Sequence, residues 1–242
     1  MSSLYITLTP SETKIIPYSR VMVVVVDLLR ASTTIITALA HGVKAIYPIN
    51  GEKEINISNR DDILFCGEEN GVKIPSFDLG NSPCNFNNDN VSKKTIYLST
   101  SNGTKILSYI SSANKIYIGG LINKTKVINR AAKLGKDLYL VCAGTKGEFS
   151  LEDFYTAGAI ASPLLSSGWK GDDLVLAAAR IFEKYYDYQE RVKLFFHTRS
   201  GQNLIKLGLI EDIYYSSKLD LHNILPIFDG EKILIKEDPN TY

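Results

Sequence analysis

Short apolar runs alternate with segments of helical spacing along the first two thirds of the chain. The runs are rich in Val, Ile, Leu and Tyr and cover residues 21–26, 45–48, 62–66, 95–99, 115–118 and 137–142. Most are followed by amphipathic segments, at residues 32–41, 104–111, 123–134 and 151–166. Continuous apolar strands that alternate with helices are typical of βαβ units, whose parallel sheet is covered on both faces. We therefore predict an α/β fold, with helices layered on a mostly parallel sheet.

The pattern changes from about residue 172. Residues 172–208 predict two or three consecutive helices, and we expect short strands after residue 209. The last of these should form a hairpin in "IFDGEKILI", because Asp229-Gly230 is a strong turn signal. We therefore predict a single domain over 1–242 with a helical and β-hairpin C-terminal third. The alternative is two lobes that divide near residues 150–172.

Charge and composition exclude some classes of protein. The chain has 27 basic and 26 acidic residues, which argues against a general role on nucleic acid or on a membrane surface. Its longest apolar run is far below the roughly 18 residues of a membrane span, and "MSSLYITLTP" has no signal-peptide pattern. The three cysteines, Cys66, Cys84 and Cys142, are widely spaced and odd in number, and Cys142 ends an apolar run. These features favour a reduced cytoplasmic protein, with Cys142 in the core.

Polar residues and glycines follow several of the predicted strands. In open α/β sheets, ligands bind beyond the carboxyl ends of the strands, and capped helix N-termini bind anions such as phosphate. Three such ends, at 32–34, 101–104 and 144–145, would converge if their strands are neighbours. The predicted substrate-binding residues are Ser32, Thr33, Ser101, Gly103, Thr104, Gly144 and Thr145.

Carboxylates lie at the same junctions as these anion-binding groups. Acids beside a phosphate site are costly unless a hard cation neutralises them, and Mg²⁺ uses one or two carboxylates together with substrate oxygens. The predicted metal ligands are Asp27, Glu68, Asp78, Glu152 and Asp153. The predicted catalytic residues are Asp27, Arg30 and Asn102, with Arg30 as a planar partner for an oxyanion. Asp27 could serve as a nucleophile or as a metal ligand.

Each assignment also has a purely structural alternative. Asp27 and Arg30 could pair as a salt bridge, Asp78 could cap its own turn, and Ser32 and Thr33 could be N-caps. Glu152 and Asp153 lie in a predicted first helical turn, where acids are favoured by the helix dipole. The chain lacks the glycine-rich P-loop and dinucleotide motifs, which weakens the case for an ordinary nucleotide triphosphatase or a dinucleotide-binding enzyme.

Five stretches together resemble the 2-phosphosulfolactate phosphatase family in order and spacing. They are "DLLRASTT" (27–34), "GEENGVKIPSFDLGNSP" (67–83), "LSTSNGT" (98–104), "VCAGTKGEFSLEDFYTAGAI" (141–160) and "LGLIEDI…LDLHNILPIFDGEKI" (207–233). The stretch "FFHTRSGQNL" departs from the family pattern, because His197, Arg199 and Gly201 are spread out.

The resemblance implies a layered α/β/α fold and a Mg²⁺-dependent phosphatase. The expected reaction converts (2R)-O-phospho-3-sulfolactate to 3-sulfolactate and phosphate, a step of coenzyme M biosynthesis. The expected partner is a small anionic phosphorylated substrate, with no nucleic acid and no membrane. Tyrosines 185, 186 and 188 could form a subunit contact of a homo-oligomer.

Three other functions remain open. The chain could hydrolyse another small phosphorylated hydroxy acid, or it could be a non-catalytic binder of small anions. A nucleotide- or NAD-dependent α/β enzyme is the third possibility, and a nicotinamide absorbance retained by the purified protein would support it.

Overall fold

A mixed sheet is the centre of the computed structural model, which describes residues 1–51, 62–87, 89–101, 106 and 115–236. In this part of the chain the sheet has eleven strands in the order β5-β4-β6-β3-β11-β10-β7-β2-β8-β1-β9. Their bounds are β1 Ser3–Thr7, β2 Met22–Val26, β3 Ala45–Pro48, β4 Ile63–Glu69, β5 Val72–Lys73, β6 Thr95–Ser99, β7 Ile116–Gly119, β8 Leu138–Cys142, β9 Lys170–Gly171, β10 Ile227–Phe228 and β11 Ile233–Leu234.

The C-terminal hairpin joins two parallel blocks of this sheet. Strands β4, β6 and β3 form one block, and β7, β2, β8, β1 and β9 form the other. Between them β10 and β11 pair antiparallel with each other, and Asp229 and Gly230 lie in their turn, as the sequence predicts. Strand β10 then pairs antiparallel with β7, and β11 with β3. Three antiparallel pairings separate β3 from β7, so the two blocks run in opposite senses along the sheet.

Both faces of the sheet are buried, which explains the continuous valine run of β2. Successive side chains of a strand point to opposite faces. Val23 and Val25 therefore pack into one apolar cluster and Val24 and Val26 into another. Helix α1 (Ala31–Ala40) covers the first face, and helices α2 (Lys124–Leu134) and α3 (Leu151–Ser166) cover the second. The layered α/β/α arrangement is confirmed, and Cys142 lies in the second cluster, as predicted.

The helices lie largely where the spacing predicts them. Their bounds are α1 Ala31–Ala40, α2 Lys124–Leu134, α3 Leu151–Ser166, α4 Asp173–Lys184, α5 Tyr188–Phe196, α6 Arg199–Lys206 and α7 Ile210–Ser216. The helix predicted at 104–111 falls outside the described residues, except for residue 106. None of the described helices is long and apolar enough to cross a membrane.

One local prediction is wrong, and one strand was not predicted. Residues 210–216 form helix α7 instead of a short strand. Ile213 and Ser216 are both fully buried, and a helix places residues three apart on the same face, whereas a strand would place them on opposite faces. The N-terminal segment forms β1, which the sequence pattern did not identify. It pairs parallel with β8 from Leu4 to Thr7 and separates β8 from β9.

Candidate active site

The junction between β2 and α1 forms a tight, hydroxyl-rich loop. Asp27 follows β2, and its Oδ1 accepts a hydrogen bond from the N–H of Ala31 at 3.2 Å. The N–H of Asp27 donates to Ser32 Oγ at 2.9 Å, and Thr33 Oγ1 donates to the carbonyl of Leu28 at 2.8 Å. The two hydroxyl groups are buried and stabilise the loop that presents Asp27.

Asp153 joins this loop to the loop that follows β8. Its Oδ1 accepts from the N–H of Leu28 at 2.8 Å, and its Oδ2 accepts from the N–H of Gly144 at 3.1 Å. Gly144 has φ +68°, and a Cβ there would lie 2.5 Å from the carbonyl oxygen of Glu148. Since β2 and β8 are neighbours, the predicted convergence of these two strand ends is confirmed.

Glu68 organises the corresponding end of the other block. It lies in β4, and its Oε2 accepts from the N–H of Gly71, at the tip of the β4–β5 hairpin, at 2.5 Å. The N–H of Ser101 donates to its Oε1 at 2.8 Å, and Ser101 Oγ lies 3.1 Å from its Oε2. One buried carboxylate therefore holds together the hairpin tip and the loop after β6.

Arg30 connects the two blocks. Its Nη1 donates to Asp212 Oδ2 at 2.7 Å, and its Nη2 donates to the carbonyl of Gly71 at 3.0 Å. Ser82 Oγ donates to the second oxygen of Asp212 at 2.5 Å. The structural alternative of a salt bridge between Asp27 and Arg30 is therefore wrong, because the acid that pairs with Arg30 is Asp212, on helix α7.

These contacts surround a cavity of about 200 Å³. It contains five of the predicted site residues: Asp27, Arg30, Glu68, Ser101 and Thr145. Its other lining residues are Leu29, Asn70, Gly71, Asn81, Thr100, Lys146, Arg199, Ser200, Asn203 and Leu204. A wider groove of about 920 Å³ adjoins it and shares part of its wall, including Glu68 and Lys146. Ser101 follows β6, which is not a neighbour of β2, and it still lines the cavity. The cavity therefore brings together residues from strand ends that are not adjacent in the sheet, which the sequence did not predict.

Other predicted residues lie outside the lining of the cavity. Ser32, Thr33, Gly144, Glu152 and Asp153 are behind its wall or beside it, and the two acids occupy the first turn of α3. Asp78 is exposed, and its Oδ2 accepts from the N–H of Phe65 at 2.8 Å, which stabilises the loop after β5. Asn102, Gly103 and Thr104 lie outside the described residues.

Burial and like charges make Asp27 an unusual carboxyl group. Its pKa rises from the ordinary 3.8 to about 7, chiefly because burial disfavours the charged form. The hydrogen bond from Ala31 and the charge of Arg30 oppose this rise, whereas the charges of Glu68 and Glu152 add to it. The environment of Asp27 therefore favours either a proton or a cation.

Asp153 experiences the same crowding of acids. Burial raises its pKa well above the ordinary value, and the charges of Asp27 and Glu152 raise it further, against the two backbone hydrogen bonds. Three acids thus share one buried region.

The carboxylates in the described part of the cavity wall are of the kind that Mg²⁺ uses as ligands. Among the described residues, no three or more His, Cys, Asp or Glu side chains are grouped as metal ligands. Mg²⁺ usually binds through one or two carboxylates and completes its shell with water and substrate oxygens. Asp27 and Glu68 are the two carboxylates in the cavity wall and fit this requirement.

Sequence reasoning missed several residues of the cavity. Asn81 is 3% exposed, and in the described part of the chain its Oδ1 has no hydrogen-bond partner. Arg199, at the start of α6, forms an exposed ion pair with Glu148 and also lines the cavity. Asn81 lies in "FDLGNSP" and Arg199 in "FFHTRSGQNL", so the only signal for either residue was its position in a polar segment beside a candidate motif.

Comparison with known proteins gives consistent matches over most of the chain. The sequence profile described as 2-phosphosulpholactate phosphatase matches residues 7–231. A relative from Thermotoga petrophila is 37% identical over 219 residues, which are 89% of this chain and 92% of that protein. Another from Carboxydothermus hydrogenoformans is 41% identical over 208 residues, 84% of each chain. Both are named probable 2-phosphosulfolactate phosphatase.

Proposed function

Because the chain belongs to the 2-phosphosulpholactate phosphatase family, we propose that it hydrolyses (2R)-O-phospho-3-sulfolactate to 3-sulfolactate and inorganic phosphate. The names of its relatives support a phosphatase with this substrate. The observation that carries the proposal is the cavity itself, where the buried carboxylate of Asp27 lies in the same wall as Arg30, Lys146 and Arg199.

The charges in the cavity suit a small substrate with several anionic groups. In the described part of its lining, three cationic side chains accompany two carboxylates. The three-carbon substrate carries a phosphate, a sulfonate and a carboxylate. Cationic side chains can bind these oxyanions, and Arg offers a planar pair of donors.

Asp27 is the proposed reactive carboxylate. It either attacks phosphorus, which breaks the bond to the leaving oxygen and forms a phospho-enzyme, or it accepts a proton from the attacking water. In both routes one water molecule is consumed, the leaving oxygen takes up a proton, and 3-sulfolactate regains a hydroxyl group. A phosphoryl group on Asp27 that is trapped by acid quenching during a single turnover would distinguish the first route.

We also propose that the reaction requires Mg²⁺. Asp27 and Glu68 would hold the ion, while Glu152 and Asp153 add negative charge near Asp27. When bound, Mg²⁺ supplies a Lewis acid that withdraws charge from the phosphoryl oxygens. Its charge also relieves the repulsion among the buried acids. Asp78 is not part of this proposal, because it lies outside the cavity.

We also propose a cytoplasmic location, which the three widely spaced cysteines favour, and a role in coenzyme M biosynthesis. A homo-oligomer that uses the half-buried Tyr185 and Tyr188 and the exposed Tyr186 also remains a proposal.

Phosphate release from a panel of phospho-acids tests the proposed function. The panel contains (2R)-O-phospho-3-sulfolactate, its non-sulfonated analogue 2-phospholactate and a simple phosphomonoester, each with Mg²⁺ and after metal stripping. We expect the highest kcat/KM for the sulfonated compound and loss of activity without metal. A higher kcat/KM for 2-phospholactate would assign the protein to another phosphorylated hydroxy acid. No release from any compound would favour a non-catalytic anion binder.

A further inference from the structure

We infer that Asp212 is a positioning residue, which holds the guanidinium of Arg30 in the orientation that binds the phosphate group of the substrate. This inference rests on the proposed function, because it assigns a role within the same cavity. Asp212 itself does not line the cavity, so it would act only through Arg30.

Hydrogen bonds define the orientation of both side chains. Asp212 uses one oxygen to accept from Arg30 Nη1 at 2.7 Å and the other to accept from Ser82 Oγ at 2.5 Å. The Ser82 bond limits rotation of the carboxylate and thereby fixes the oxygen that faces Arg30. This serine lies between the cavity residue Asn81 and a 3-10 helix at Pro83–Phe86, which packs against α1 and α7.

The second anchor of Arg30 is the tip of the β4–β5 hairpin. The carbonyl of Gly71 accepts from Nη2 at 3.0 Å, and the tip is itself held by Asn203 of α6, whose Nδ2 donates to the carbonyl of Asn70 at 3.2 Å. Asp212 and Gly71 together use one hydrogen on each of two guanidinium nitrogens. Because Arg30 also lines the cavity, its remaining donors can serve the oxygens of a phosphate group.

Burial explains why this orientation needs a dedicated acid. The side chains of Arg30 and Asp212 are 4% and 2% exposed, so water contributes little to their solvation. Without Asp212, the buried guanidinium of Arg30 would be an unpaired charge, which favours conformers that pair with another anion or reach solvent. The carboxylate of Asp212 is therefore expected to reduce the number of Arg30 conformers and to keep the phosphate-binding donors in place before substrate arrives.

Substitutions at position 212 should reduce substrate handling in a graded series. Asp212→Ala removes the hydrogen bonds to Arg30 and Ser82, and we expect kcat/KM to fall about tenfold to 100-fold. Asp212→Asn retains an oxygen that can accept from Arg30, so we expect a smaller loss of about threefold to tenfold. Ser82→Ala frees the carboxylate of Asp212 to rotate and should lower kcat/KM about as much as Asp212→Asn does.

A double-mutant cycle separates positioning from a general structural role. In an Arg30→Lys background, the oriented guanidinium is already absent, so Asp212→Ala should reduce kcat/KM by less than about threefold. Arg191→Lys is the control, because Arg191 is also buried and bonded to carbonyl oxygens, at Ser217 and Tyr186, but does not line the cavity. It should lower the unfolding temperature and leave kcat/KM unchanged.

Binding of inorganic phosphate provides a readout that does not depend on the identity of the substrate. Calorimetric titration of phosphate into the Mg²⁺-loaded protein should show the same graded weakening and the same non-additivity with Arg30→Lys. If the wild-type protein binds phosphate but does not hydrolyse phosphosulfolactate, the proposed function fails while this titration still decides the role of Asp212.

Several results would overturn the inference. They include equal losses from Asp212→Ala in the wild-type and Arg30→Lys backgrounds, and wild-type phosphate affinity in a folded Asp212→Ala protein. If Asp212→Ala does not fold, wild-type kcat/KM and phosphate affinity in both Asp212→Asn and Ser82→Ala decide against it. A wild-type protein that neither binds phosphate nor releases it from a phosphoester contradicts both this inference and the proposed function.

Discussion

At the scale of single residues, two acids that lie close to the same predicted motif differ in burial and in hydrogen bonding. Glu68 is buried, lines the cavity and accepts hydrogen bonds from two separate segments. Asp78, ten residues later, is exposed and accepts from one strand N–H. The sequence suggested the same role for both, because each follows the same predicted strand.

Substitution of these two acids by their amides is a matched comparison. Glu68→Gln puts an N–H₂ group against donors from Gly71 or Ser101, so the hairpin tip should move and kcat/KM should fall about tenfold, equivalent to about 1.4 kcal/mol. Asp78→Asn retains an acceptor for Phe65 and should leave kcat/KM within about twofold. Steady-state phosphate release measures both values. A large loss in Asp78→Asn, with normal folding, would return Asp78 to the set of metal ligands.

At the scale of secondary-structure elements, helices α3 and α4 pack closely against each other. Gly158 of α3 faces α4, and a Cβ at this position would lie 2.0 Å from the carbonyl oxygen of Ala178. The two helices therefore touch through backbone atoms at this point. This contact supports α3, whose N-terminus carries Glu152 and Asp153.

Gly158→Ala should therefore force α3 and α4 apart. We expect the free energy of unfolding to fall by about 1–3 kcal/mol, the usual cost of overpacking, although alanine favours helix formation. Urea denaturation measures this change. Ser166→Ala, at the exposed end of the same helix, should change it by less than about 0.5 kcal/mol. Equal stability of Gly158→Ala and the wild-type protein would show that the helices can separate at no cost.

The segment after α7 contributes a histidine whose charged form is disfavoured in the folded state. His222 contacts the hydroxyl of Tyr215 at 3.0 Å, and burial followed by the charge of His41 lowers its pKa below 6.5. At this position the unfolded chain binds more protons than the folded chain as pH falls through about 6.5, so the contribution of His222 to stability should decrease from about pH 7 to about pH 5. The raised pKa of Asp27 acts in the opposite direction over the same range.

Replacement of His222 should reduce this pH dependence. We expect the unfolding free energy of His222→Gln, relative to that of the wild-type protein, to rise as pH falls from about 7 to about 5, because glutamine does not titrate. His197→Gln is the control, since His197 is exposed at the end of α5. Urea denaturation at several pH values measures both slopes. An unchanged slope in His222→Gln would locate the titrating group elsewhere.

At the scale of the whole molecule, the candidate active site is built from segments that are far apart in the chain. The junction after β2 was predictable, because Asp27 directly follows a run of valines that had to be buried. The Arg30–Asp212 pair was not, since 182 residues separate its members and no periodicity links them. The reversal of the two sheet blocks was also hidden, because it depends on the hairpin inserting between them.

The crowding of acids predicts that Mg²⁺ stabilises the entire fold. A ligand that binds only the folded state adds about 2.7 kcal/mol at about 100 times its Kd, which corresponds to a rise in Tm of about 5 °C for a chain of this size. Thermal unfolding with Mg²⁺ and after metal stripping measures the shift. Asp27→Asn should reduce it, whereas Asp78→Asn should leave it intact. A Tm that does not respond to Mg²⁺ would speak against a metal site among these acids.

The most direct test of the account is phosphate release from (2R)-O-phospho-3-sulfolactate by the wild-type protein and by Asp27→Asn, measured side by side with Mg²⁺. Asparagine has nearly the same shape as aspartate and can still accept from the N–H of Ala31, so the variant should fold. We predict turnover by the wild-type protein and a fall in kcat of about 10² or more in the variant. Equal kcat values in two folded proteins, or no release by the wild-type protein, would contradict the account.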